Sequence, residues 1–344
     1  VSTSLVTGGA GYLGTQIVAA LLRSGQRVRI FDRNRPSEAP PGVEVVQGDV
    51  RDREAVRAAC RDVEVVHHNV ALVPLAKDAK AFFSVNRDGT ENVLQAALAA
   101  GVRKLVHTSS SAVYGIPERN PVDASVEPRP GEAYGRAKLA AEHLCRAYVE
   151  RGLDVSVVRP RTILGHGRLG IMQILFEWVL RGRNIPVLGR GDNVYQFVHA
   201  DDLVDALLRA AARPGPATYR IGAERFGTMR ETLEGLTRHA GTGSRVVSVP
   251  MRPAVLAMQT TSRLGLSPLG AYHALMYGRS LYFDLTEAKR ELGWQPRHGN
   301  VDMICESYDW YVSNRETILR STSGSHHQSA VRQGVLRLAS WVLG

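Results

Sequence analysis

Cysteine is scarce: Cys60, Cys145 and Cys305 are the three in 344 residues. They lie far apart without metal-ligand spacing, which excludes a disulfide framework and makes a reducing cytoplasm the expected setting. No apolar run approaches the roughly 20 residues that cross a bilayer, and no leader-like segment stands before the first strand, so no membrane span is expected. The pairs His67-His68 and His326-His327 lack the carboxylate or cysteine neighbours of a metal site, and no metal is assigned. Aromatic interleaving is missing among the basic residues. The formal charge of +10, from 43 Lys and Arg against 33 Asp and Glu, therefore does not read as a nucleic-acid surface; it suits a basic exterior and an anionic cofactor or substrate. What is present is ordinary for a globular chain, with 44% apolar and 22% charged residues, enough for one large domain or a domain with a smaller lobe. No internal repeat is evident.

The stretch TGGAGYLG, Thr7 to Gly14, follows the apolar pair Leu5 and Val6 and leads into helical spacing over Gln16 to Arg23. A strand-to-helix turn rich in glycine is the context in which a dinucleotide is held. Gly8 permits the tight turn, Gly11 lets the backbone approach a pyrophosphate, and Gly14 lets the helix pack on the strand, with free N–H groups facing the phosphates. Arg27 to Phe31 reads as a second strand ending at Asp32, 18 residues beyond Gly14, where a carboxylate would accept hydrogen bonds from an adenosine ribose. That favours NAD over NADP, because a carboxylate repels a 2′-phosphate, while Arg33 and Arg35 stand close enough to hold one.

Further strands are expected at Val43 to Gln47, Val63 to His68 and Lys104 to Thr108, with a sixth at Val155 to Val158. After the third strand, Asp49 either caps the helix starting near Arg53 or faces an adenine amine. Small residues after the fourth, Val70 and Ala71 beside Asn69, would let a cofactor lie close. One long helix is predicted over Lys77 to Ala100, containing Asn86 and a GTEN turn at residues 89 to 92. Strands and helices alternate to about residue 160, the pattern of an α/β fold with a doubly wound parallel sheet.

The fifth strand ends in Ser109, Ser110 and Ser111. Tyr134 follows 24 residues after Ser110, and Lys138 stands four further on, so the two share one face of a helix running to about Arg151. An ammonium near a phenol lowers the phenol's pKa from about 10, which would tune Tyr134 to exchange a proton with a secondary alcohol near neutral pH.

These motifs resemble those of the extended short-chain dehydrogenase/reductase family, the NAD-dependent epimerases and dehydratases. TGGAGYLG, Asp32, Gly48-Asp49-Val50, the serines before VYG, and YGRAK stand in the family's order and spacing. VNRDGTENVL, RPRTILG, FVHADDL and AKRELGWQP add to the match, which spans about residues 3 to 312. The resemblance implies a Rossmann sheet with a smaller C-terminal substrate lobe, a homodimer, and NAD as cofactor. It implies catalytic Ser110, Tyr134 and Lys138, and cofactor contacts from Gly8, Gly11, Tyr12, Leu13, Gly14, Asp32, Asp49, Val50, Val70, Ala71, Lys138 and Pro160. In dehydratases of the family an Asp-Glu pair follows the catalytic Thr. Ser111 and Ala112 occupy those positions here, which argues against elimination.

Substrate anchors depart from the nucleotide-sugar pattern. Thr162 replaces the family's Asn, Tyr195 replaces its phosphate-binding Arg, and no Arg-x-Gly-Asp precedes AKRELGW. Arg161, Arg168, Arg190 and Arg279 are candidate replacements, and Ser111, Thr162, Tyr195 and Arg279 are taken as the substrate set. The apolar insert Val249 to Phe283 is similar to the segment shaping a lipophilic site in hydroxysteroid dehydrogenase-like relatives; core packing is the competing reading. The expected activity is that of a sugar or nucleotide-sugar epimerase, with a 3β-hydroxysteroid- or terpenoid-type dehydrogenase as the alternative and a non-catalytic NAD sensor as a third reading.

The organisation expected is residues 1–160 as the dinucleotide-binding domain, with 194–222 returning to it. Residues 161–193 and 223–320 would form the substrate lobe and 321–344 a tail. Leu236 to Ser248 and Ser262 to Gly270 read as loops. In the tail, Val331, Val335, Leu338 and Val342 share one helical face, suiting either a docked terminal helix or peripheral contact with a membrane or partner.

Overall fold

The computed structural model of the chain describes residues 2–36, 39–74, 78–168, 171–264, 266 and 276–320. Its frame is β1 (Thr3–Thr7), α1 (Tyr12–Arg23), β2 (Arg27–Asp32), β3 (Glu44–Gln47), α2 (Arg53–Ala59), β4 (Val65–His68), α3 (Ala79–Phe82), α4 (Gly89–Ala99), β5 (Lys104–Thr108), α5 (Ala133–Glu150) and β6 (Val155–Pro160). After these come β7 (Thr162–Leu164), α6 (Met172–Leu180), β8 (Ile185–Leu188), β9 (Val194–Tyr195), β10 (Phe197–His199), α7 (Ala200–Ala212), β11 (Ala217–Ile221), β12 (Gly227–Thr228), α8 (Met229–Ala240), β13 (Val246–Val249), α9 (Met251–Arg263), α10 (Thr286–Leu292) and α11 (Asn300–Arg320). Among the described residues, seven strands form one parallel sheet in the order β11-β6-β5-β4-β1-β2-β3.

Side chains alternate across this sheet with a period of two, and both faces are covered. Val6, Val106 and Val158 point into one core with Ile17 and Leu21 of α1 and Leu203 and Leu207 of α7. Their neighbours Leu5, Leu105 and Val157 point into the other, with Val56 of α2, Val93 of α4 and Cys145 of α5. A third cluster, including Phe176, Leu233, Tyr308 and Tyr311, joins α6, α8 and α11.

The helix expected over Lys77 to Ala100 is present as an unbroken run from Ala79 to Ala99, α3, a widened π turn at Phe83–Asp88 and α4 in succession, with GTEN as the first turn of α4. Asn86, in the π turn, accepts from Leu72 N at 2.7 Å and donates to Leu72 O at 2.9 Å, tethering the loop after β4. Other sequence expectations need correction. Asp49 does not cap α2. Asp52 does, accepting from Glu54 N and Ala55 N, because an N-cap must directly precede the first helical turn. Leu236 to Ser248 is not a loop: α8 runs to Ala240, Gly241 ends it at φ 62°, and β13 pairs with β8. The Gly and Ser content marked that cap and missed the flanking elements. In Ser262 to Gly270, α9 continues through Arg263, and most of the remainder lies outside the described residues. The tail beyond 320 also lies outside them. No helix among the described residues is long and apolar enough to cross a membrane.

His67 lies in the middle of this sheet, fully buried, with both ring nitrogens lacking a partner. Burial pushes its pKa from 6.5 down to about 4. The folded value is below the unfolded one, so stability is fully present above pH 6.5 and declines as the pH falls through that window. The full loss is roughly 3 kcal/mol at 1.36 kcal/mol per unit. His67→Leu removes both the unbonded nitrogens and the proton linkage. Urea midpoints at pH 7 and pH 4.5 are expected to lie closer together in the variant than in the parent; an unaltered gap would refute this role for His67.

Candidate active site

The carboxyl ends of β1, β2, β4, β5 and β6 surround a cavity of about 420 Å³. It sits where strand order reverses between β1 and β4, the crevice in which open parallel sheets hold ligands. Gly8, Gly11, Tyr12, Leu13 and Gly14 form its floor. A Cβ on Gly8 (φ +72°) would stand 3.0 Å from Val70 N, and one on Gly14 would stand 2.0 Å from Gly8 O. Only glycine permits these approaches. The N-cap of α1, Gly11, offers no side-chain acceptor to the first N–H groups of the helix, so these donors and the helix dipole remain available to an anion. This cradle fits a dinucleotide pyrophosphate.

Asp32 lines the same cavity beside Arg33 and Asn34. Its carboxylate is held in place by N–H donors from Ala10 at 3.1 Å and Asn34 at 2.9 Å. Asp49 and Val50 line it too. Arg51 grips Asp49 through Nε and Nη2 at 2.9 and 2.6 Å and keeps its pKa down at about 2. Val70, Ala71 and Pro160 complete the walls.

At the far side stand Ser110, Tyr134 and Lys138, all in the cavity wall. Glu132 caps α5, its carboxylate accepting from Tyr134 N and Gly135 N at 2.7 Å each, and so sets Tyr134 in the first helical turn. Phe82 meets the Tyr134 ring edge-on at 5.8 Å. Ser110 caps the short 3₁₀ turn Ser111–Tyr114 by accepting from Ala112 N at 3.1 Å, and its hydroxyl acts on the Tyr134 phenol to favour the phenolate. One turn on, Lys138 donates to Thr108 O at 2.7 Å and faces His107 Nε2 at 3.4 Å.

The electrostatics differ from expectation in one respect. Burial pushes the Tyr134 phenol up to about 12, with Glu132 pushing the same way and the Ser110 hydroxyl and Arg168 pulling it down. The expected lowering by Lys138 does not set the phenol's value here. Burial brings Lys138 itself down to about 8. Desolvation dominates because both groups are almost wholly enclosed.

The substrate candidates divide. Ser111 and Thr162 reach the cavity. Tyr195 lies behind Thr162, with their hydroxyls 2.8 Å apart. Arg279 is exposed and does not line the cavity, and neither does Arg190, which pairs with Asp192 at 2.9 Å. Arg161 and Arg168 do line it, as do Ile171 and Met172 at the start of α6. These last two carry no motif, and nothing in the sequence marks them. In the insert Val249 to Phe283, Met276, Leu281 and Phe283 belong to the core, and no described residue of it lines the cavity.

Sequence reasoning also missed a cluster behind Tyr12. Ligand atoms of His199, His298 and Glu306 lie within 4.8 Å of one another, and His166 Nε2 reaches Glu306 at 2.7 Å. His199 Nδ1 accepts from Asp201 N at 3.2 Å, while its Nε2 faces Glu306 at 3.2 Å. Its ring stacks on His298 at 3.8 Å. Both His199 nitrogens are engaged, and Glu306 ties the cluster through His166 to the loop that carries Arg168.

The fold is shared with known proteins. The chain is 52% identical over 344 residues to the uncharacterized protein y4nG of Sinorhizobium fredii, covering 100% of this chain and 87% of that one. It is 30% identical over 342 residues to a 3β-hydroxysteroid dehydrogenase/Δ5→4-isomerase of Mycobacterium tuberculosis, covering 90% of each. It also superposes on the UDP-glucose 4-epimerase of Thermus thermophilus in complex with NAD, with a TM-score of 0.73 at 27% identity, covering 90% of this chain and 99% of that one. A model of the NAD dependent epimerase/dehydratase family matches residues 4–222, well over half the chain, and the chain therefore belongs to that family.

Proposed function

We propose that this protein binds NAD along the carboxyl edge of its sheet and oxidises or reduces a secondary hydroxyl, with Tyr134 as the proton-transfer group. The observation that carries this reading is the meeting of Ser110, Tyr134 and Lys138 on the wall of the cavity floored by the glycine turn. NAD, when bound, takes up or returns the hydride of the carbinol carbon. Tyr134 accepts the hydroxyl proton or gives it back, Ser110 holds the reacting oxygen, and Lys138 binds the nicotinamide ribose and brings positive charge toward the phenol. Residues 161–193 and 223–320 act as the lobe that closes over the substrate.

A sugar or nucleotide sugar is the first substrate class, with the hydride returned to the opposite face of a transient ketone. The fold likeness to the UDP-glucose 4-epimerase supports it. Elimination is disfavoured because Ala112 has no acid or base to offer. A second reading, net oxidation of a steroid-like alcohol, draws on the 30% identical hydroxysteroid dehydrogenase and on the loss of the nucleotide-sugar anchors at Thr162 and Tyr195.

Incubation with UDP-glucose and with a 3β-hydroxysteroid separates the two. An epimerase is expected to carry NAD through gel filtration and to change UDP-glucose into its 4-epimer without accumulating NADH; a dehydrogenase would release NADH in step with ketone. Turnover of neither compound class would remove the substrate assignment. Asp32→Ala is expected to weaken NAD roughly tenfold or more and NADP much less, because the lost acceptor serves the ribose hydroxyls that NADP has replaced with phosphate. Equal weakening of the two would remove the ribose role.

A further inference from the structure

Beside Ser111 in the cavity wall lies a positive charge with no counter-ion among the described residues. Arg161 follows directly on β6 and is 1% exposed. Its Nε donates to Gln196 O at 3.1 Å, its Nη1 donates to Ser111 Oγ at 2.9 Å, and its buried Nη2 has no partner. The guanidinium is packed over the rings of Tyr195 and Phe283, at 4.7 and 5.8 Å from their centroids. Among the described residues no carboxylate reaches it. Arg159, two positions earlier and also buried, makes the contrast: it is paired with Glu142 through Nη2 at 2.5 Å. A largely buried ion without a counter-ion costs stability.

The proton inventory at Ser111 gives this charge a direction. A serine hydroxyl has two lone pairs and one proton. Arg161 fills one lone pair, so the proton is left to be donated to another acceptor, and Ser111 lines the cavity. Ser110, its neighbour, likewise accepts a backbone N–H. Ser111 thus keeps its one proton for an acceptor in the cavity.

We propose that Arg161 is a positioning residue. It fixes Ser111 as a second hydrogen-bond donor to the reacting oxygen and sets a buried cation behind that donor. The charge the fold leaves unbalanced is then met by the negative charge that gathers on the reacting oxygen. This rests on the reading of Ser110, Tyr134 and Lys138 given above. In the oxidation direction the carbinol C–H bond breaks as hydride passes to the nicotinamide, the O–H proton goes to Tyr134, and a C=O bond forms. Ser111 and Arg161 keep their protons throughout. Between the two transfers the oxygen is anionic, and that is where a donor backed by a guanidinium acts most strongly.

The test uses Arg161→Met, Arg161→Lys, Ser111→Ala and the Arg161→Met/Ser111→Ala double variant, assayed on whichever of UDP-glucose and a 3β-hydroxysteroid the parent turns over. Arg161→Met is expected to lower kcat roughly 100-fold with KM within about threefold. Arg161→Lys should recover about tenfold of that, and the double variant should be no slower than the worse single one, because the two residues act as a unit. The limb of the pH profile that reports loss of the alcohol proton should move to higher pH in Arg161→Met. The melting temperature of that variant without cofactor should be unchanged or raised, since no ion pair is lost. An unchanged kcat in Arg161→Met would overturn the proposal, and so would additive losses in the double variant or a large fall in melting temperature. Tyr134→Phe, measured alongside, separates the levels: if it stays active the reading of the whole site falls, and if it is inactive while Arg161→Met is not, only the role of Arg161 falls. Should the parent turn over neither compound, the melting temperature decides, a fall marking a structural role.

Discussion

Tyr134→Phe is expected to lower turnover by about 10²- to 10⁴-fold while NAD affinity and melting temperature stay close to those of the parent. The substitution removes one oxygen and leaves the ring. Tyr134 packs with Phe82, Ala112 and Ala137 in a small apolar cluster, and phenylalanine fills that space with the same edge-on contact to Phe82. What disappears is the group that exchanges a proton with the reacting oxygen. The phenol starts at about 12 because it is buried. Burial opposes the phenolate, so the cationic groups in the cavity must offset the cost of forming it. Lys138, brought down to about 8, still carries its proton at pH 7. Single-turnover measurements with NAD saturating are the direct check, and a Phe variant with parental turnover would show that another group moves the proton.

The second large effect is expected at Gly14→Ala. A Cβ there would lie 2.0 Å from Gly8 O and 2.7 Å from Gly9 Cα, and both are backbone atoms of the turn they would have to distort. Either α1 lifts from β1 or the turn opens. Overpacking of this kind costs roughly 3 kcal/mol or more, which for a chain of this size is a fall of roughly 4 °C in melting temperature, with NAD affinity lost at least about 100-fold because the N–H groups no longer converge. Gly11→Ala is the informative partner. Its Cβ would meet Gly8 O at 3.2 Å, a contact the turn can absorb, so the variant should fold and lose chiefly the cofactor. Thermal melts and NAD titrations of the pair are expected to separate in that order. A Gly14→Ala protein with parental stability would mean that α1 is not seated as described.

Local pattern carried much of this protein. Strand and helix periods, the spacing of Gly8, Gly11 and Gly14, the acid at Asp32 and the four-residue step from Tyr134 to Lys138 are properties of short stretches. Backbone geometry reads them the same way wherever they occur. The parallel sheet and the cavity at its carboxyl edge followed from them. Spacing left Asp49 two roles, capping α2 or facing an adenine amine. Asp49 and Asp52 both precede α2, and the one adjacent to the first turn caps it while the other is held by Arg51.

Only the tertiary structure decided which charges matter. Of the four arginines named as candidate anchors, Arg161 and Arg168 reach the cavity and Arg190 and Arg279 do not, although nothing in their immediate neighbours distinguishes them. Burial of Tyr134 and Lys138, the absence of an anion beside Arg161 among the described residues, and the meeting of His199, His298 and Glu306 all depend on residues far apart in the chain. Desolvation and Coulomb energy are set by everything within a few ångströms in space. No one-dimensional pattern carries that information, and so the sequence determined the scaffold and the reacting groups while the packing determined the field in which those groups work.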